Sequence, residues 1–325
     1  MPKLRVLSLF CGCGGADLGA MGSFTYLGKL YKGNQAEIVH ASDINEKAVA
    51  TYNLNFKHKA QTEDVRKLKF RRGFADVVIG GFPCQSFSTV NPSKEPGNRE
   101  TQLFWEMANI ISMIRPAAIV AENVKGFYRL AGGKYFQMAT DEFERLGYTM
   151  TCKVINSSDF GVPQLRERIF MVGIRKDLKR SYVFPDATHG VLRKPRKSVL
   201  SDVIDNVEGP GPKYIFSQRA VEGVKKAKKN MKRALAQDMN KQCLTITSHL
   251  AKVSLNSRDP VILINSEKEK YRRFTPREAA RIQSFPDSFN FSGSEADAYR
   301  QIGNAIPPVV FWHLFASLRK QMSQS

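Results

Sequence analysis

The chain has 325 residues, which is enough for a full α/β core and a smaller added domain. Its 50 Lys and Arg residues outnumber 30 Asp and Glu residues, and the resulting formal charge of +20 favours a polyanionic partner. Neither a signal peptide nor the ~18 to 20 consecutive apolar residues of a membrane helix are found, and five scattered cysteines argue against a disulfide framework. We therefore expect a soluble, cytoplasmic protein with mostly free thiols.

Short apolar runs alternate with segments of helical periodicity through the first half of the chain. Strands are predicted at residues 4–10, 38–41, 77–79 and 117–121, and helices at 46–56 and 102–114. This alternation is typical of βαβ units around a mostly parallel sheet, so the predicted fold class is α/β. Ligands of such sheets bind outside the carboxyl ends of the strands, and the residues that follow each strand are therefore the functional candidates.

The alternation stops after residue 174. The segment 185–270 contains Pro and Gly breaks, a basic run at 225–233, and short strand-like pieces at 244–247 and 261–264. We predict a second, smaller domain there, inserted into a first domain made of residues 1–184 and 271–325.

Helix signals return after the insertion. Thr275, Pro276 and Glu278 have the spacing of a capping box with proline in the first turn. A last helix is predicted at 307–320, and we expect it to pack back onto the first domain.

A glycine turn follows the first predicted strand, in the order Cys11-Gly12-Cys13-Gly14-Gly15. Glycines let the backbone curl tightly and approach a ligand closely. Taken alone, this pattern fits a ligand-free turn equally well, and the Cys-x-Cys spacing lacks a second ligand pair and indicates packing rather than a zinc site.

Two carboxylates follow the next strand positions, Asp43 and Asp64. A carboxylate at the second strand can accept hydrogen bonds from ribose hydroxyls, and one at the third can accept from an adenine amino group. Singly, each Asp is more ordinarily a helix N-cap or a solvated turn residue. Together with the glycine turn they predict an adenosine-containing cofactor.

Cys84 follows another predicted strand, in the stretch GGFPCQSFS. A free cysteine is commonly a small buried hydrophobe, but a thiolate at a strand end near amides and cations becomes a nucleophile. Glu122 ends the next strand, and Arg166 and Arg168 are spaced to point to one side of an extended segment. A thiol, a carboxyl group and two guanidinium groups are thus predicted on one rim of the sheet.

These residues carry a resemblance to the DNA cytosine-5 methyltransferases of the bacterial restriction-modification type. The matching motifs, in the family's order, are FCGCGG (10–15), ASDINEKAV (41–49), Asp64, GGFPCQSFS (80–88), AENVKG (121–126), QLRERIFMVGI (164–174), RFTPREAARIQSFPDSF (273–289) and QIGNAIPP (301–308). They cover nearly the whole chain except the segment 185–270. Asp43 stands where the family more often has Glu, and Phe82 precedes Pro83 where proline is also common.

The resemblance implies a fold, a cofactor and a reaction. The fold is the doubly wound methyltransferase fold with an inserted target-recognition domain, and the cofactor is S-adenosylmethionine, released as S-adenosylhomocysteine. By the resemblance, Cys84 adds to C6 of a flipped-out cytosine, Glu122 holds N3, and Arg168 holds the base O2 or an adjacent phosphate. Arg166 is counted with these three residues in the implied catalytic set. The implied cofactor residues are Phe10, Gly12, Gly14, Asp43, Ile44, Asp64, Val65, Pro83, Leu103 and Asn304.

The implied partner is double-stranded DNA, bound by a monomer, with any cognate restriction endonuclease acting separately. Phosphate contacts are predicted for the basic run, although such runs are usually solvated helix faces. Base contacts are predicted just beyond it, on short strands or loops. The predicted DNA-binding residues are Gln85, Ser88, Val90, Lys228, Lys229, Gln242, Thr247 and His249.

Sequence features bear on three alternative functions. A tRNA-methylating sister group usually carries a Cys-Phe-Thr tripeptide, which this sequence lacks. Catalytically silent relatives tend to lose the nucleophile or the cofactor carboxylates, and both are present here. A small-molecule methyltransferase is disfavoured by the net charge and the basic insertion.

Overall fold

The computed structural model describes residues 2–83, 102–191, 194–209, 211–228, 236–250 and 261–323, with the side chains of residues 102, 224, 227 and 228 outside the description. The strands are β1 (Leu4–Leu9), β2 (Phe24–Tyr26), β3 (Lys29–Tyr31), β4 (Ala36–Asp43), β5 (Gln61–Thr62), β6 (Val77–Gly80), β7 (Ala118–Val124), β8 (Tyr148–Asn156), β9 (Gln164–Leu165), β10 (Glu167–Arg175), β11 (Cys243–Leu244), β12 (Ile262–Asn265) and β13 (Lys270–Arg272). The helices are α1 (Gly15–Met21), α2 (Glu46–Asn55), α3 (Gln102–Ile114), α4 (Lys134–Arg145), α5 (Gln218–Lys228), α6 (Pro276–Ile282), α7 (Glu295–Asn304) and α8 (Pro308–Met322).

Seven of these strands form the central sheet, in the order β5-β4-β1-β6-β7-β10-β8. The five strands from β5 to β7 run parallel, whereas β10 pairs antiparallel with both β7 and β8. The carboxyl ends of the parallel strands therefore meet at one edge, where the order reverses around β1.

Apolar side chains cover both faces of the sheet. Along β1, Val6 packs into the cluster that holds α1, α2 and α8, while Leu7 and Leu9 pack into the cluster that holds α3 and α4. These three side chains are at most 1% exposed. A strand that is apolar on both faces is what a parallel sheet with helices on each side requires. The predicted α/β class with a mostly parallel sheet is confirmed.

The predicted element boundaries agree with the structure to within a few residues. The first strand ends one residue early, because Phe10 has a positive φ of 54° and turns out of the sheet. The capping box is present, with the Thr275 side chain accepting from the Glu278 N–H, and Pro276 opens α6. Helix α8 packs against α1, as expected for a terminal segment that returns to the first domain.

Described residues of the segment 185–270 share the apolar core of the rest of the chain. Leu200, Val203, Cys243, Ile246 and Ile262 belong to the same buried cluster as α1 and α8. Strand β11 pairs in parallel with β9, which belongs to the QLRER stretch. The existence of a separate target-recognition domain stays a prediction, and residues 243–250 are tied closely to the catalytic part. Among the described helices, none has the length and apolarity needed to cross a membrane.

Candidate active site

A cleft of about 760 Å³ opens at the carboxyl ends of the parallel strands. Glu122, Arg166 and Arg168 line it, which brings together the described members of the predicted catalytic set. The predicted cofactor residues that line the same cleft are Phe10, Gly12, Asp43, Ile44, Asp64, Val65, Pro83, Leu103 and Asn304. Residues far apart in the sequence therefore meet in one space, as the strand-end argument requires.

Gly14 is not part of the cleft lining, and its cofactor contact stays a prediction. It has a φ of 93°, and a Cβ atom there would lie 2.4 Å from Cε2 of Phe56 and 2.9 Å from Cδ2 of Tyr52. Glycine is needed at this position because helix α2 packs directly against the turn. Gly14 therefore supports the conformation of the turn on the side that faces α2.

Replacing Gly14 with alanine should lower the free energy of unfolding by roughly 1–3 kcal/mol, through backbone strain together with overpacking. Gly73→Ala is the matched control, because Gly73 has a φ of 74° and nothing lies within 4 Å of its Cβ position. Chemical denaturation of both variants measures the difference. Equal losses in the two variants would show that the contact with α2 is unimportant.

Asp43 fastens the glycine turn to the start of α2. Its Oδ2 accepts the Gly12 N–H at 2.8 Å, and its Oδ1 accepts the Asn45 N–H at 2.8 Å. Burial raises the pKa of Asp43, and these hydrogen bonds oppose the rise. The carboxylate is therefore held in one orientation at the cleft, with lone pairs remaining for a ligand hydroxyl.

Asp64 lies in the same cleft and caps a 3₁₀ turn at 65–67. Its Oδ1 accepts the Arg66 backbone N–H at 3.0 Å, and its carboxylate also pairs with the Arg66 guanidinium. This pairing lowers the pKa of Asp64 to about 2. The carboxylate is consequently an ionised acceptor at any physiological pH.

Glu122 and Arg168 form an ion pair at the inner wall of the cleft. Arg168 Nε lies 3.1 Å from Glu122 Oε1, and the two side chains are only 15% and 13% exposed. Burial raises the pKa of Glu122, while the positive charges of Arg168 and Arg166 oppose the rise. A carboxyl group whose pKa is subject to these opposing effects can hold a proton for a ring nitrogen and still release it.

A glycine leaves room for this carboxyl group. A Cβ atom on Gly81 would lie 3.1 Å from Glu122 Oε2, closer than nearly all contacts of that kind. The double glycine at the end of β6 thus admits the Glu122 side chain to the cleft.

Arg166 is held by backbone carbonyls of the cleft wall. Its side chain is buried, Nη1 donates to the Ile246 carbonyl at 3.0 Å, and Nη2 donates at 3.0 Å to the carbonyls of Gly303 and Ala305. Both terminal nitrogens are therefore used within the protein. Arg166 thus lines the cleft and joins three segments of its wall, and its predicted catalytic role stays a prediction.

A family model described as C-5 cytosine-specific DNA methylase matches residues 4–320. The chain belongs to this family. It is 32% identical to Type II methyltransferase M.BsuRI of Bacillus subtilis over an alignment 345 residues long, which covers 94% of the chain and 77% of that relative. It is 31% identical to Type II methyltransferase M.FnuDI of Fusobacterium nucleatum, with 94% and 91% covered. The resemblance found in the sequence is confirmed, and the enzyme class is DNA cytosine-5 methyltransferase.

Solved structures agree on the fold of this methylase. The S. pombe Dnmt2 methyltransferase superposes with a TM-score of 0.74 at 21% identity, covering 99% of this chain and 100% of that one. The Entamoeba histolytica methyltransferase EhMeth gives a TM-score of 0.73 at 18% identity, covering 100% of both chains. At these identities the likeness establishes the methyltransferase fold alone.

Asn123 lines the same cleft, and the sequence placed it in the AENVKG motif without giving it a role. Its side chain is 2% exposed, Nδ2 donates to the Phe82 carbonyl at 3.0 Å, and Oδ1 accepts the Val124 N–H at 2.8 Å. It therefore fixes the backbone immediately before Pro83 relative to Glu122. An amide at the end of a buried apolar strand was the available signal.

The predicted base-reading residues of the methylase occupy three different environments. Gln242 donates its side-chain N–H to the Ser198 carbonyl at 3.0 Å, and Thr247 Oγ1 accepts the His249 N–H at 3.2 Å. His249 is exposed and, with Ser248, lines the cleft that holds Glu122. Only His249 of these three predicted residues therefore reaches the candidate active site.

The position of His249 follows from close packing of the preceding backbone. A Cβ atom on Gly303 would lie 2.2 Å from the Thr247 carbonyl carbon, so helix α7 meets this segment directly. The Ile246 N–H also donates to Gln164 Oε1 at 2.8 Å. Cys84, Gln85, Ser88, Val90, Lys229 and the side chain of Lys228 lie outside the described residues.

Proposed function

We propose that the methylase transfers a methyl group from S-adenosylmethionine to C5 of a cytosine flipped out of a specific duplex sequence, through a covalent Cys84–C6 adduct. The observation that carries this proposal is the half-buried Glu122–Arg168 pair, which shares one cleft with the carboxylates of Asp43 and Asp64. A base held at the pair would lie beside a cofactor held by the carboxylates.

The other cysteines support Cys84 as the nucleophile. Burial raises the pKa of each described thiol, to about 12 for Cys13 and Cys152 and in the same direction for Cys11 and Cys243. These four thiols are neutral at physiological pH, and a neutral thiol is a poor nucleophile. Pro83 lines the cleft one residue before Cys84.

In the proposed reaction, the Cys84 thiolate forms a bond to C6 while Glu122 gives a proton to N3. The electron pair that arrives at C5 would take the methyl group, and the electrons of the broken sulfur–methyl bond would stay on the sulfur of the departing S-adenosylhomocysteine. Loss of the C5 proton to water then restores the C5–C6 double bond, and Cys84 leaves as thiolate while Glu122 recovers its proton from N3. Arg168 stabilises the pyrimidine O2 as electron density builds there.

The residues present fit S-adenosylmethionine, which supplies an electrophilic methyl group on a sulfonium when bound. The Cβ position of Gly12 faces open space within a turn of positive φ, so the backbone can approach a ligand without a side chain between them. Asp43 would hold the ribose hydroxyls and Asp64 the adenine amino group. Asn304, at the last position of α7, would close the cleft from the C-terminal segment.

The position of His249 supports contact with the extruded nucleotide more than with bases in a groove, because it lines the catalytic cleft. Lys228 and Lys229 stay predicted phosphate contacts, and Gln242 and Thr247 stay predicted base contacts. We also propose a monomer acting in the cytoplasm, with any cognate endonuclease working separately, since the relatives named above are Type II methyltransferases.

A methyl-transfer assay with tritiated cofactor tests this function on duplex DNA, tRNA and no nucleic acid. Label should enter duplex DNA alone, and bisulfite sequencing should place 5-methylcytosine at one sequence. Transfer to tRNA alone would favour the RNA-methylating alternative. DNA binding without transfer would favour a silent relative, and label in small molecules would overturn a nucleic-acid substrate.

Replacing Asp43 with alanine should weaken S-adenosylhomocysteine binding by about tenfold or more, because ribose hydroxyls lose a charged acceptor. Titration calorimetry measures the affinity, and a thermal unfolding curve of the variant identifies a temperature at which it is folded. Glu37→Ala is the matched control, since Glu37 is exposed at the opposite end of β4. Unchanged affinity in the Asp43 variant would contradict the ribose contact.

A further inference from the structure

Among the residues that the structure describes, the side chain that holds the carboxylate of Asp64 is that of Arg66. Besides the backbone contact, Arg66 Nε lies 2.9 Å from both Oδ1 and Oδ2, and Nη2 donates to Oδ2. A guanidinium that meets both carboxylate oxygens fixes the plane of the carboxylate, which a lysine ammonium cannot do.

This arrangement lies at the mouth of the cleft rather than in the core. The Asp64 side chain is 16% exposed and the Arg66 side chain 43%, and both residues line the cleft. A short carboxylate at such a position would otherwise rotate and exchange hydrogen bonds with water. Three N–H groups of Arg66, on the backbone N, Nε and Nη2, use three of the four lone pairs of the carboxylate, so one lone pair remains as an acceptor for a ligand.

We infer that Arg66 is a positioning residue for adenine selectivity, because it fixes the Asp64 carboxylate in the orientation that accepts the adenine 6-amino group. The inference rests on the proposed cofactor and extends it to a residue outside the motifs of the family resemblance. Arg66 acts through Asp64 and is not itself assigned a contact with the cofactor.

Lys67 offers a control that separates the effect of a nearby positive charge from that of hydrogen bonds to the carboxylate. Its positive charge also lowers the pKa of Asp64, yet among the described contacts no hydrogen bond joins Lys67 to that carboxylate. Lys67 is exposed and does not line the cleft. Removing Lys67 takes away a nearby charge and leaves the carboxylate fixed.

The experiment compares two ligands by titration calorimetry: S-adenosylhomocysteine and its analogue with hydrogen in place of the 6-amino group. We expect the unmodified protein to prefer the amino ligand by about tenfold, the scale of one hydrogen bond to a charged group. Arg66→Ala should reduce this preference to about threefold or less. Arg66→Lys should restore little of it, and Lys67→Ala should retain it.

The outcomes separate this inference from the proposed function. The positioning role would be overturned if Arg66→Ala weakened binding of both ligands equally. It would also be overturned if the variant kept or increased the preference for the amino ligand. An unmodified protein that binds both ligands equally would also overturn it, while leaving the cofactor assignment in place. An unmodified protein that binds neither ligand would overturn the proposed cofactor and the inference together. Circular dichroism confirms folding, which the exposed position of Arg66 favours.

Discussion

Replacing Cys84 with serine should abolish methyl transfer and also the covalent complex that forms on duplex DNA carrying 5-fluorocytosine at the target position. Fluorine cannot leave C5 as the proton does, so the adduct persists when the sulfur–C6 bond has formed and C5 has been methylated. A serine hydroxyl is far less acidic than a thiol and adds to C6 too slowly to be trapped. Denaturing gel electrophoresis of labelled DNA measures the complex directly.

The controls for this experiment are the two described cysteines outside the cleft lining. Cys243 is fully buried in β11, and Cys152 lies in the edge strand β8 with its thiol pKa raised to about 12. Cys152→Ser and Cys243→Ser should both still trap the DNA. A trapped complex in the Cys84 variant, lost in either control, would assign the nucleophile elsewhere.

The fold was predictable because its signals are local. Four of the five parallel strands, β1, β4, β6 and β7, contain a short apolar run followed by a break or a helix of visible periodicity, so the edge that carries the ligands could be located from sequence. The fifth, β5, is the polar pair Gln61–Thr62 and gave no such signal. The antiparallel placement of β10 between β7 and β8 was not predictable in this way, since an apolar strand reads the same in either direction.

Membership of the cleft was predictable where a residue lies near the end of its own strand, as Asp43, Asp64 and Glu122 do. The contacts of a side chain were not predictable where the partners lie far away in the sequence. The carbonyls that accept from Arg166 lie 80, 137 and 139 residues further along the chain, so its extended spacing with Arg168 gave no sign of them. The position of His249 in the cleft also depends on a partner distant in the sequence, because the backbone before His249 packs against α7.

Replacing Glu122 with glutamine should reduce methyl transfer by roughly 10²- to 10⁴-fold, the contribution typical of a positioned proton donor. The amide has nearly the same shape and can still donate a hydrogen bond to N3, but it cannot transfer a proton. Glu167→Gln is the matched control, because Glu167 is 41% exposed and pairs with Lys125 at 2.8 Å. Single-turnover transfer to duplex DNA measures both, and comparable losses in the two variants would contradict the role of Glu122.

The pH dependence provides an independent check on Glu122. Burial raises its pKa and Arg168 opposes the rise, so removing the arginine charge should raise the pKa further. Because the reaction needs the protonated carboxyl group, single-turnover transfer should fall as pH increases through this pKa. In Arg168→Met the overall rate should drop, since O2 loses its donor, while the alkaline decline moves to higher pH. A decline that stays in place or moves to lower pH would mean that another group supplies the proton. Loss of the O2 contact by itself lowers the rate but does not reverse the direction in which the decline moves along the pH axis.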